Sequence, residues 1–127
     1  VTTRACFFDD VYTFGEDGSF SIEMGDATWL EGWQGVAADG CGTPVAPHDG
    51  SGTYTYEFGG GTLKLIGQGA HVALPKAVNG AELPAVAVPN DVTYQVASLT
   101  ESDGVKRMEL HIEVGPGVWW SFKLISE

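Results

Sequence analysis

The stretch K-R-M-E-L-H-I-E-V-G-P-G-V-W-W-S-F-K-L-I, residues 106–125, decides how this chain folds. Two runs of strict apolar/polar alternation flank Gly115, Pro116 and Gly117, the period-2 pattern of a β-hairpin with one buried face. With those three residues as the loop, Val114 pairs with Val118. Met108, Leu110, Ile112 and Val114 then share a face with Val118, Trp120, Phe122 and Leu124. The other face carries Glu109, His111 and Glu113 against Trp119, Ser121 and Lys123. Glu109 falls opposite Lys123, an opposite-charge pair that favours this register. A slip by one residue would set Leu110 beside Lys123 and mix the faces, so the register is strongly specified. Each large side chain buried there contributes roughly 1.5–3 kcal/mol.

The same alternation recurs upstream. Residues 4–14 read as a β-rich run and 19–24 as a second strand. Pairing Phe14 with Phe20 sets Tyr12 opposite Ile22. The tip between them, E-D-G-S, is turn chemistry. It belongs to an acidic cluster of Asp9, Asp10, Glu16 and Asp17 that lacks the spacing of a calcium loop. Residues 53–58 and 62–68 form another hairpin around Gly59, Gly60 and Gly61. Here Phe58 faces Leu63, Tyr56 faces Leu65, and Glu57 faces Lys64. Residues 71–74 suit a short strand, and 75–90 a connector. Residues 92–99 alternate and turn at Ser102-Asp103-Gly104 into the last hairpin. The reading is all-β, with about eight mostly consecutive antiparallel strands forming an up-and-down barrel or a curled meander.

Between these hairpins, residues 25–52 form a long irregular section, and loops of that length are usually functional or pinned. Trp29 and Trp33, spaced i,i+4, suit a short helical turn, which Gly32 weakens. Cys41 is a candidate pin. The two cysteines, Cys6 and Cys41, are either a disulfide of an exported protein or two buried thiols of a cytosolic one. Metal binding by a pair so distant is disfavoured.

The 127 residues suit one domain, 1–127, with one core. Seventeen acids against six bases give a net charge of −11, which argues against nucleic acid and anionic membrane as partners. No apolar run approaches the roughly 18 residues of a membrane-crossing helix. The opening Val-Thr-Thr-Arg carries no signal peptide and reads as the start of a mature or excised piece.

Four segments carry a likeness: C-F-F-D-D-V-Y-T-F-G-E-D-G-S-F (6–20), W-L-E-G-W (29–33), C-G-T-P-V-A-P-H-D-G (41–50) and V-W-W-S-F-K-L-I (118–125). They resemble lipocalin-like (calycin-type) domains of secreted proteins from marine bacteria, which often stand beside glycoside hydrolase or other carbohydrate-active modules. The resemblance covers most of the chain. It implies a lipocalin-like barrel, secreted or periplasmic, and carries over no catalytic residue. Such domains usually open on a strand with Gly-x-Trp that closes the barrel, and nothing before Trp29 matches it. Without that strand the sheet keeps an open edge, which invites a homodimer.

For chemistry, Trp29, Trp33 and Trp119 are the candidate sugar platform. Trp119 falls on the polar face beside Glu113, where an indole flanked by acids suits stacking on a sugar ring. His48, Asp49 and Glu113 are the candidate polar contacts. Set against this, the long loop could cover Trp119, and Trp29 and Trp33 could simply pack beneath it. The row Glu109, His111, Glu113 could ligate a metal with outside help but reads better as a solvated face. Neighbouring acids on a strand point to opposite faces, so Asp9-Asp10 and Glu16-Asp17 do not make a glycosidase pair. The sequence therefore favours a non-catalytic module for carbohydrate or another small ligand, with no cofactor and no metal. An assembly domain pairing through its open edge is the second reading. A small enzyme using His48 or His71 is the third.

Overall fold

The computed structural model describes residues 2–127. Val1, the first residue of the opening Val-Thr-Thr-Arg, lies outside them. The main sheet has seven antiparallel strands: β1 (Val11–Phe14), β2 (Ser19–Glu23), β5 (Tyr54–Gly59), β6 (Thr62–Ile66), β9 (Asp91–Ser102), β10 (Val105–Gly115) and β11 (Val118–Ile125), in that spatial order. Two ribbons accompany it, β3 (Thr28–Leu30) with β4 (Gly40–Gly42), and β7 (Ala77–Val78) with β8 (Ala81–Glu82). The sheet curls into a half-barrel and stays open, because β1 and β11 each have one strand partner among the described residues.

Cross-strand pairs set the register. Phe14 faces Phe20 and Tyr12 faces Ile22. Glu57 faces Lys64, Tyr56 faces Leu65 and Phe58 faces Leu63. Glu109 faces Lys123, Leu110 faces Phe122 and Ile112 faces Trp120. Period 2 then sends Phe20, Ile22, Tyr54, Leu63, Leu65, Val92, Tyr94, Leu110, Ile112 and Phe122 to the concave side, where all are buried.

Three local expectations are corrected. Val114 does not pair with Val118. Gly115 does, and a bulge separates it from the Glu113–Trp119 pair. Pro116 fixes its own φ, and Gly117 takes φ 74, which together are the signature of a type II turn. That turn twists against a two-stranded ribbon, and the bulge absorbs the mismatch. Val114 stays buried while Val118 is exposed. By contrast, Ser102-Asp103-Gly104 closes a two-residue turn with φ 54 and 78 at its centre, the type I′ geometry that suits hairpins.

Residues 4–14 are not one β run. Thr2–Phe7 is a 3-10 helix, and the strand begins only at Val11. Residues 71–74 are not a strand either. They cross the concave face as an irregular buried segment, and tyrosines of the sheet beneath take their amides. Val72 N–H donates to the Tyr94 hydroxyl at 3.0 Å, and Ala73 N–H to the Tyr12 hydroxyl at 2.8 Å. Because those partners satisfy the backbone, a buried segment needs no ladder there.

Residues 24–53 and 67–90 thus form a second layer over the concave face. Met24, Trp29, Ala70, Val72, Leu74, Ala77, Val78 and Leu83 share one apolar cluster with the sheet. Asn79 pins the β7–β8 ribbon. Its amide donates to Thr93 O at 3.0 Å, and its Oδ1 accepts from Thr93 N–H at 2.7 Å. It stands in for a strand where β9 parts from β10, whose pairing ends at Gln95–His111. Among the described residues, no helix is long and apolar enough to cross a membrane.

Candidate functional site

The convex face is polar and open. One cross-strand row runs Gly59, Thr62, Gln95, His111, Ser121 over five strands. Along one flank of it run Glu57, Lys64, Thr93, Glu113 and Trp119, and along the other Glu109 and Lys123. Trp119 is 51% exposed, so the long loop does not cover it. His111 Nε2 lies 2.9 Å from Glu109 Oε1, and the Ser121 hydroxyl donates to the same oxygen at 3.4 Å. The hydrogen bond from His111 leads in holding the Glu109 carboxyl below its ordinary range. At the far end of this face is a groove of about 340 Å³, lined by Glu57, Phe58, Gly59, Thr62, Lys64 and Thr93. Glu57 and Lys64 are cross-strand neighbours, yet they form no direct ion pair among the described residues.

The other two candidate tryptophans lie across the sheet from Trp119. Trp29 is only 9% exposed and belongs to the core. A buried indole offers no open ring face, so Trp29 is corrected from platform to packing. Trp33 is partly buried against the same core, on the 3-10 turn Gly32–Gln34. Both indoles converge on one carboxylate: Trp29 Nε1–H donates to Glu31 Oε1 at 3.4 Å, and Trp33 Nε1–H to Oε2 at 3.1 Å. Lys76 Nζ completes the set, 3.4 Å from Glu31 Oε1 and 5.2 Å from the Trp120 ring centre. Trp120 Nε1–H in turn donates to Glu82 at 2.7 Å. The crevice between Trp29, Trp33, Pro75 and Lys76 has no room for a water molecule. This network ties the loop layer together.

His48 and His71 are buried at 4% and 2% exposure, their rings 5.5 Å apart and edge to face. Trp33 adds a third ring, 5.7 Å from His48. The His71 Nδ1–H donates to Gly69 O at 2.9 Å. Gly69, at φ 96, lies so close against the Pro47 carbonyl that a Cβ would collide with it, and this lets the two segments meet. Burial holds both imidazoles down to about 4, with Asp49 pulling His48 slightly the other way. Neither ring bonds a carboxylate among the described residues. Asp49 is occupied locally, accepting from Ser51 N–H and its hydroxyl at 3.1 and 2.6 Å, which lowers its own carboxyl.

Asp10, in the sequence a member of the acidic cluster and of the Asp9-Asp10 pair, sits apart from His48 and His71 in its bonding. Its Oδ2 accepts from the Thr28 hydroxyl at 3.2 Å, while Oδ1 is buried with no partner. Burial pushes the carboxyl up to about 7, Thr28 opposes this, and Asp9 adds to it.

Of the six candidate contacts, the structure therefore keeps Trp119 and Glu113 together on the convex face. Trp29, Trp33, His48 and Asp49 belong to the loop layer. Comparison with known protein families, characterised proteins and solved structures finds no match. The groove was missed in the sequence although its signal was present: the Glu57–Lys64 pair served only to set a register, yet the same two residues place opposite charges on the open face.

Proposed function

We propose that this chain is a non-catalytic carbohydrate-binding module of an exported protein, holding its ligand on the convex face at Trp119. The observation that carries the reading is a half-exposed indole among Glu113, Ser121 and His111. A sugar ring presents an apolar C–H face and a rim of hydroxyls. An indole among carboxylate, hydroxyl and imidazole groups complements both. The resemblance to lipocalin-like domains beside carbohydrate-active modules supports the same ligand class. Cys6 and Cys41 form a disulfide, their Cα atoms 6.1 Å apart, which is compatible with a secreted or periplasmic location.

The test is tryptophan fluorescence titrated with a panel of neutral polysaccharides. The other three indoles are buried or fixed to carboxylates, so Trp119 carries the ligand-dependent signal. A saturable shift is expected, and Trp119→Ala is expected to lose it with at least a tenfold fall in affinity, about 1.4 kcal/mol. A flat response across the panel would overturn the reading.

A second reading has its own observation. The sheet ends on β11, eight residues long with one strand partner, and Val118 and Ile125 are exposed along it. Unprotected edges pair with other chains. Assembly through this edge gives a dimer mass in light scattering at micromolar concentration, and a monomer mass removes the reading.

A further inference from the structure

We infer that the binding face continues from Trp119 across the sheet into the groove at Glu57, Thr62, Lys64 and Thr93, and that its ligand is the interior of an extended, uncharged polysaccharide chain. The inference rests on the carbohydrate reading and names the substrate class.

Extent argues for a chain. From β5 to β11 the face crosses five adjacent strands, roughly 19 Å at the usual strand spacing. That is wider than one sugar ring. The row Gly59, Thr62, Gln95, His111, Ser121 runs unbroken along this span and places a hydroxyl, an amide, an imidazole and a second hydroxyl in series. The Gln95 amide can donate and accept, and the Thr62 and Ser121 hydroxyls, whose hydrogens go to Gly59 O and Glu109, still accept, which matches the hydroxyls of successive sugar units.

Charge argues for a neutral ligand. The groove brings one carboxylate and one ammonium, Glu57 and Lys64, that do not neutralise each other by direct contact. Glu57 can only accept and Lys64 can only donate, so hydroxyls satisfy both. A sulfated or uronic chain would also meet Glu109 and Glu113 on this face, on a protein of net charge −11.

Openness argues for the interior of the chain. The groove leaves the sheet over Gly59, Gly60 and Gly61, where an added Cβ would meet no atom within 4 Å. Those three residues raise no side chain over the groove there. At the other end β11 is the edge of the sheet. A site for chain ends needs a wall, and neither exit has one.

The experiment is a length series. Cello-, laminari-, manno- and xylo-oligosaccharides of increasing length are titrated against the wild type, Trp119→Ala and the double variant Glu57→Gln/Lys64→Ala, with circular dichroism confirming that each variant folds. For the responding series, affinity is expected to rise with length and level off once a chain spans the face. The double variant is expected to lose that gain, about tenfold for the longest chains. Trp119→Ala is expected to weaken every length. Equal affinity at all lengths, or a double variant that keeps the gain, overturns this inference and leaves the Trp119 site standing. Silence from every oligosaccharide and polysaccharide overturns both.

Discussion

Asp10→Asn is expected to stabilise the protein by about 1–2 kcal/mol at about pH 8 and to steepen its loss of stability on acidification. The folded Asp10 carboxyl sits near 7 against an ordinary 3.8. Between those values the folded state keeps a proton that the unfolded chain releases, so stability is lost as the pH rises through the window. His48 and His71 work the other way. Their folded values near 4 lie below the ordinary 6.5. The unfolded chain takes up protons first on acidification, so stability is lost as the pH falls from 6.5 toward 4. Between about pH 7 and about pH 5 each histidine withdraws about 1–2 kcal/mol. Over the same interval Asp10 returns about 1–2 kcal/mol, once its full shift is reduced for the water that reaches a half-buried carboxyl. With two histidines against one aspartate, Asp10 offsets about half of the histidine slope in the wild type. Asparagine keeps the acceptor for Thr28 and removes the ionisation, which leaves only the histidine slope. Urea midpoints at three pH values check this. Parallel profiles for the two proteins would show that Asp10 titrates as an ordinary surface acid.

What the sequence made legible follows from where the physics is local. Phe14 with Phe20, Glu57 with Lys64, and Glu109 with Lys123 were readable because a tight turn and a period of two fix a hairpin from adjacent residues alone. The same period separated Trp119 from Trp120 correctly, one facing water and one turned toward the core. Seven of the eight expected strands became the main sheet. The eighth, 71–74, failed because its amides are met by Tyr94 and Tyr12, 22 and 61 residues away from the groups they hold. No local pattern announces such a partner. Residues 67–90 bury Ala70, Val72, Leu74, Ala77, Val78 and Leu83 with no helical or strand period, so apolar content was visible while placement was not.

The site was legible to the same degree. Trp119 was placed by strand alternation. Trp29 and Trp33 were left between platform and packing because i,i+4 spacing says that two indoles are close and nothing about what they touch. The W-L-E-G-W segment did hold a clue. Glu31 lies midway, and a carboxylate flanked by two indoles is positioned to accept from both, as it does. The consequence for function is a division of labour. The concave side is filled by its own loops, and the convex ladder is left open.

That division leads to the second large effect. Reducing the Cys6–Cys41 bond, or replacing both residues with serine, is expected to lower stability by about 4 kcal/mol, the loop-closure value for a separation of 35 residues. The bond joins the N-terminal 3-10 helix to β4, and Cys41 pairs across the ribbon with Trp29. Its loss therefore loosens first the segment that carries Trp29 and Glu31, and with it the hold on Lys76. The ladder from β5 to β11 keeps its own registers and does not pass through either cysteine. The urea midpoint should fall while sugar binding at Trp119 persists under native conditions. Thiol titration of the denatured, unreduced protein should find no free cysteine. Two free thiols would remove the clip, and loss of binding on reduction would show that the loop layer also shapes the convex face.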